Sequence, residues 1–418
     1  MARALRGGMR SLLIAVLCAA GCRGESEEAP LLQMASRPGA GSGPPRSRLS
    51  ACHKHVQVIG RHQRQREGGS CSGVAFDFSG VEVRARFANT SWATVEMSQA
   101  YSDPEYYIAN FFNVYVDSQL HSSFDTSSWN RTGGSWRVKL FSGLDPSVTH
   151  EVAIFKNTEP QFNSKYVVPN YVTVHAFTGS SGMTLAQPSK PPRWKVEFLG
   201  DSITAGYCNS AQPCSTSSDC TPANQHFNES WPALICSALG AECHVEAWSG
   251  YGMAENCCGG KTLMSSVWLR TLGSLQALDL MLPHQTPPEN LWDFRRWVPD
   301  AVVINLGTND AVSWPHVIPA YNMTYLALLT VAARAYGPST HFFLACGPMT
   351  SKYCPQVDWV MEKARAQVPG LKISFLNQRY YLNGSYGPAC GYHPSVRVDL
   401  AMAKGAVPVI RRALRRKS

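Results

Sequence analysis

Four stretches of this chain hold residue types that could perform acyl transfer if folding brought them together. The first is Gly200-Asp-Ser-Ile-Thr204, directly after the apolar run Val196 to Leu199. That run is short and unbroken, and glycine ends it, so it reads as a buried strand. Ser202 then falls just past the strand's carboxyl end, where open α/β sheets place their ligand crevices. Its hydroxyl is a nucleophile if a base lies close. Alone, Gly-Asp-Ser fits a strand-to-helix turn capped by Asp201 or Ser202 equally well. The second stretch is Ala247-Trp-Ser-Gly-Tyr-Gly252. Gly250 lets the backbone approach a ligand, and its N–H could donate to an oxyanion, although a tight turn needs the same glycines. The third, Gly307-Thr-Asn-Asp310, ends the apolar run Ala301 to Leu306. The Asn309 amide could donate to a developing negative charge, and Asp310 could cap the next helix. The fourth is Ala389-Cys-Gly-Tyr-His-Pro-Ser395. A lone His-Pro is usually a helix-entry feature, but His393 after three such stretches is favoured as general base.

The elements that would position these residues follow from periodicity. From about His55 to Ser180 the pattern has period two, as in Val81 to Phe87, Trp136 to Leu140 and Tyr171 to Phe177. Val74 to Phe78, Phe111 to Val116 and Val152 to Phe155 add strand candidates, with Gly68-Gly69, Gly133-Gly134 and Asn157 as turns. Many short alternating strands predict a β-sandwich over residues 55–181. His53, His55 and His62 in this part read as surface histidines rather than metal ligands. Residues 182–193, with Pro188, Pro191 and Pro192, read as a linker. From Trp194 to residue 416, apolar strands alternate with helical segments, which predicts a doubly wound α/β domain. Its strands are Val196 to Leu199, His244 to Trp248, Ala301 to Leu306, His341 to Ala345 and Ile373 to Leu376. Its helices are Trp231 to Leu239, Met264 to Leu280, Tyr321 to Tyr336, Val357 to Gln367 and Val398 to Leu414.

These four stretches, in this order on these elements, resemble the blocks of the SGNH, or GDSL-type, hydrolase superfamily. The arrangement is closest to carbohydrate esterase family two, where an esterase domain follows a jelly-roll sandwich. Phe76-Asp-Phe-Ser-Gly80, Val114-Tyr-Val-Asp117 and Trp292-Asp-Phe294 extend the resemblance, which covers about residues 55 to 415. The resemblance implies a three-layer, flavodoxin-like catalytic domain. It implies Ser202 as nucleophile, His393 as base and then acid, and an oxyanion hole of the Ser202 N–H, the Gly250 N–H and the Asn309 side chain. It also implies substrates that bear O-acetyl groups on sugars or polysaccharides, with no cofactor and no metal. Tyr207, Trp248, Tyr251, Trp314 and Tyr392 are the aromatic candidates for a sugar platform, Tyr251 and Trp314 foremost. Asp201, Asp310 and Gly391 stand beside the motif residues as supporting candidates. There is one departure. The superfamily usually carries Asp three residues before the histidine, and some members of this family two before. Here those positions are Cys390 and Gly391. A backbone carbonyl from Gly391 or its neighbours would then have to orient the imidazole. A glycan-binding protein without activity is therefore one alternative reading, and a lipase-like acyl hydrolase is another.

Composition agrees with an exported protein. The 418 residues are 44% hydrophobic and 16% charged, enough for a sizeable core and against global disorder. Arg3, Arg6 and Arg10 precede an apolar run from Leu12 to Ala20, too short to span a bilayer, so residues 1–21 read as a signal peptide. Lipoprotein processing at Cys22 is the lesser alternative, because the leucine usually found three residues earlier is missing. Residues 22–54 are rich in Gly, Pro, Ser and Arg and read as a flexible linker. Of fourteen cysteines, the twelve from Cys52 to Cys390 are expected in disulfides, the adjacent Cys257 and Cys258 with different partners. Sequons at Asn89, Asn130, Asn228, Asn322 and Asn383 fit the secretory route. The net charge of +9 gathers at the ends, in Arg411, Arg412, Arg415, Arg416 and Lys417 among others. No aromatics interleave with them, so this reads as a solvated helix end and not as a nucleic-acid site. The protein is expected to be a monomer without stable membrane insertion.

Overall fold

The computed structural model describes residues 46–100, 109–129, 134–163, 168–212, 220–275, 290–382 and 387–415. The expected signal peptide and sequons Asn130 and Asn383 lie outside them.

The N-terminal part is two antiparallel sheets face to face. One runs in the order Gln63–Glu67, Ser70–Phe76, Val172–Ser180, Trp92–Gln99, Ser135–Ser142. The other runs Thr184–Leu185, Glu82–Ala88, His150–Lys156, Phe111–Val116, Gln119–Asp125. Glu82–Ala88 and Trp92–Gln99 bury every second residue, as a sheet with one wet face must. Val83, Ala85 and Phe87 meet Val95, Met97, Val138 and Val174 in the shared core. At Gly68-Gly69, both with positive φ, the first hairpin turns as the sequence predicts.

Two linker expectations are corrected. Arg46–Ser50 is a strand that pairs with Val172–Ser180, so residues up to 54 are not all linker. Thr184–Leu185 pairs with Glu82–Ala88 and seats Leu185 in the core. Composition suggested linker at both places, but an unsatisfied sheet edge recruited them.

The C-terminal part is a five-stranded parallel sheet ordered Ala241–Ala247, Trp194–Gly200, Ala301–Asn305, His341–Cys346, Lys372–Asn377. Its central strands are buried on both faces. Val196, Phe198, Ala301 and Val303 pack on one side with Trp231–Leu239 and Val396–Arg415. Leu199, Val302 and Ile304 pack on the other with Ile318–Tyr336 and Cys354–Gln367. The last helix buries Val398, Met402, Ala406, Ile410 and Leu414, four apart along one stripe. The helix expected from Met264 to Leu280 is corrected: only Met264–Val267 is helical, a 3-10 turn forms at Gly273–Leu275, and residues past 275 lie outside the described ones.

The two halves are fastened by buried polar contacts. Asp77 accepts from the Gly273 and Ser274 N–H groups at 3.1 and 2.7 Å. Gly80 lies against Phe227, where a Cβ would come within 2.5 Å of the ring. Phe155 stacks on the same ring. Asn157 accepts from the Asn228 N–H, while the amide of Asn228, one of the sequons, donates to the Tyr115 hydroxyl at 3.4 Å. Arg61, fully buried, reaches from the sandwich to Glu197 at 3.0 Å and Glu246 at 2.9 Å.

The expectation that Cys257 and Cys258 take different partners is also corrected: they are bonded to each other. Other bridges join Cys52 to Cys71, Cys208 to Cys220, Cys236 to Cys243 and Cys346 to Cys354. Cys390 is disulfide-bonded as well.

Candidate active site

Strand register sets the site. Gly200 is level with Ala247 on one side and with Asn305 on the other. Neighbouring strands lie about 4.8 Å apart. Ser202, Gly250 and Asn309 therefore leave three adjacent strands at the same end, two, three and four residues past the paired positions.

Strand Trp194–Gly200 stops because Gly200 is pressed against Thr204, where a Cβ would come within 2.0 Å of its hydroxyl. Asp201 caps the following short helix, Ser202–Ala205, by accepting from the Ile203 N–H at 3.0 Å. Gly206, with φ of 72°, ends it. Ser202 is thus held at the head of a one-turn helix, 4% exposed. His393 comes from the loop before the last helix, and its Nε2 lies 2.8 Å from Ser202 Oγ.

Gly391 and Tyr392 take φ of 59° and 60° and fold that loop back on itself. A left-handed tyrosine is uncommon and is held here by Ala389 N–H to His393 O and His393 N–H to Cys390 O. His393 Nδ1 is buried and makes no hydrogen bond of normal geometry. Burial lowers the imidazole pKa below its ordinary 6.5, and the Cys390 and Gly391 carbonyls oppose that shift. Among the described residues, no carboxylate bonds to this ring.

The turn after Ala241–Ala247 closes with Tyr251 N–H on Trp248 O, and Gly250 has φ of 82°. Glycine at the third position is what a type II turn requires. The Asn309 side chain donates to Tyr251 O at 2.7 Å, which ties the third strand's loop to this turn. Asp310 does not cap a helix. It accepts from the Met253, Ala254 and Glu255 N–H groups at 3.0, 2.6 and 3.0 Å and so closes the loop behind Tyr251. Burial raises its pKa, and those N–H groups hold it back. Asp201 is pushed up to about 7, by burial first.

The aromatic candidates divide. Tyr207 meets the His393 ring edge-on at 5.0 Å. Tyr251 stacks on Trp248 at 4.7 Å, but Trp248 is 6% exposed and backs that ring from the core. Trp314 and Tyr392 are exposed, and Lys352 lies 5.5 Å from the Trp314 ring. One contact was not legible in the sequence. Glu159, from the sandwich, accepts from both the N–H and the hydroxyl of Ser249 at 2.7 Å. No motif marks a glutamate ninety residues upstream of the turn it meets.

Residues 198–380 match the model of the GDSL-like Lipase/Acylhydrolase family. The cellulase/esterase CelE of Acetivibrio thermocellus is 30% identical over 312 residues, 73% of this chain and 34% of that protein. This chain thus spans about a third of the length of that relative. An acetylxylan esterase / glucomannan deacetylase of Cellvibrio japonicus is 24% identical over 373 residues, 88% of this chain and 91% of that protein. Among solved structures, a family two carbohydrate esterase from Clostridium thermocellum in complex with cellohexaose superposes with a TM-score of 0.70. It is 28% identical and covers 86% of this chain and 99% of its own. The Cellvibrio japonicus family two esterase, 20% identical with a TM-score of 0.69, shares the fold over 89% of this chain and 98% of its own.

Proposed function

We propose that this chain, which carries a GDSL-like acylhydrolase domain and is close to the family two carbohydrate esterases, removes O-acetyl groups from carbohydrates by a serine–histidine mechanism. One observation carries the reading: the 2.8 Å contact between His393 Nε2 and Ser202 Oγ at the mouth of the parallel sheet.

The Cys390 and Gly391 carbonyls facing the ring can only accept, so the proton sits on Nδ1 and Nε2 is free to take the Ser202 proton. Ser202 Oγ attacks the acetyl carbon, and the imidazolium returns its proton to the departing sugar oxygen. Water then repeats the sequence on the acetyl-enzyme and releases acetate. The charge on the tetrahedral oxygen falls to the Ser202 and Gly250 N–H groups and the Asn309 amide. Donors to an oxyanion must be fixed beforehand. The type II turn and the Asn309 bond to Tyr251 supply that rigidity. Tyr207, Tyr251, Trp314 and Tyr392 are the rings on which sugar would stack. Disulfides fit the reading of an exported enzyme.

The purified protein should release acetate from acetylated xylan or glucomannan. It should cleave a nitrophenyl acetate faster than the octanoate, as a crevice with its wall pinned by Asn309 and Asp310 suits a short acyl group. Preference for octanoate would return the lipase-like reading, and tight glycan binding without acetate release would return the non-enzymatic one.

A further inference from the structure

The Ser249 N–H and hydroxyl both point at one oxygen of Glu159, at 2.7 Å each. Ser249 is the residue before Gly250, in the turn closed by Tyr251 N–H on Trp248 O. With the peptide before Ser249 pinned, the next peptide, which carries the Gly250 N–H, is left little freedom to rotate. On the other side the Gly250 carbonyl accepts from the Cys257 N–H at 3.1 Å. The sandwich thus holds one edge of the turn and the catalytic domain the other.

We infer that Glu159 is a positioning residue for the ester-hydrolysis site: through Ser249 it fixes the Gly250 oxyanion donor, so the sandwich domain completes the catalytic centre. This rests on the serine–histidine reading above. Glu159 is 6% exposed, so its two bonds to Ser249 are made out of competition with water. Its own backbone carbonyl accepts from buried Lys156 Nζ at 3.2 Å, which anchors the segment to the sandwich. The carboxylate also borders a cavity of about 140 Å³ that it shares with Tyr207, the ring set against His393. Burial pushes its pKa up to about 7, with the Ser249 bonds and Lys156 pulling down. Of the other groups facing it, Asp201 and Tyr207 are each raised by its charge as well as by burial.

The test uses the full chain and a nitrophenyl acetate. Glu159→Ala should lower kcat tenfold or more with KM little changed, less than the roughly 10²–10³ lost when an oxyanion donor is deleted outright. Glu159→Gln keeps an acceptor in place for Ser249 and should recover most of that rate. Wild-type kcat in both variants, or a change confined to KM, overturns the inference. Should the alanine variant fail to fold, the kcat of Ser249→Ala decides, and an unchanged value overturns the inference. Ser202→Ala run alongside separates the two claims. Hydrolysis persisting in it sinks the serine–histidine reading. An inert Ser202→Ala beside unaffected Glu159 variants sinks only this inference.

Discussion

His393→Ala should cost about four to six orders of magnitude in turnover of an acetyl ester, the scale expected when a serine hydrolase loses its base. The argument is geometric. Ser202 Oγ has the imidazole 2.8 Å away, and the described residues place no second base on that hydroxyl. Removing the ring leaves a hydroxyl that is protonated at neutral pH and an oxyanion hole with little to stabilise. The fold should survive, because His393 is only partly buried and is held by backbone bonds that alanine keeps. The same geometry sets a pH sign. On the proposed mechanism the working base is the neutral imidazole, and burial lowers its pKa below 6.5. The acid limb of kcat/KM should therefore fall below pH 6.5, with activity kept above it.

Arg61→Met should destabilise the protein by about 3–5 kcal/mol, the cost of breaking a buried ion pair from one side. Arg61 has no exposure and serves both halves at once. It pairs with Glu197 and Glu246, donates to the Arg270 carbonyl at 2.8 Å, and lies 5.2 Å from the Trp292 ring. Glu246 is already raised well above the usual carboxylate range, by burial first, with Glu197 adding to it and Arg61 opposing it. Without the guanidinium the Glu246 carboxyl would be raised further. A carboxylate whose folded pKa exceeds its unfolded one binds more protons folded, so stability falls as pH rises above the unfolded value. The melting temperature of Arg61→Met should therefore drop more at alkaline than at mildly acidic pH. An equal drop at both would mean that Glu246 does not feel the loss.

The parallel sheet was legible because its central strands are apolar on both faces and glycine closely follows three of its strands. Gly200, Gly250 and Gly307 each mark the end of an apolar run, and the structure has a strand ending within three residues of each. The sandwich strands were legible where alternation was clean, as in Glu82–Ala88. Trp92–Gln99 was missed although it alternates as well, since buried Ala93 and half-buried Trp92 blur the contrast. Partnering over long separations was not legible. Asp77, Gly80 and Trp292 lie in stretches quoted for family resemblance, yet their work is to dock the two halves, which no local pattern encodes. The bond between Cys257 and Cys258 was misjudged because adjacency seemed to forbid it. Asp310 was misread because a carboxylate just past a strand suits a helix cap as well as a loop clamp.

The most direct measurement is covalent. A fluorophosphonate that mimics the tetrahedral intermediate should modify one residue, Ser202, in step with loss of acetyl-ester hydrolysis, as read by peptide mass spectrometry, and His393→Ala should slow the labelling sharply. Complete labelling of Ser202 with hydrolysis undiminished, or inactivation with the label on another residue, would contradict the account.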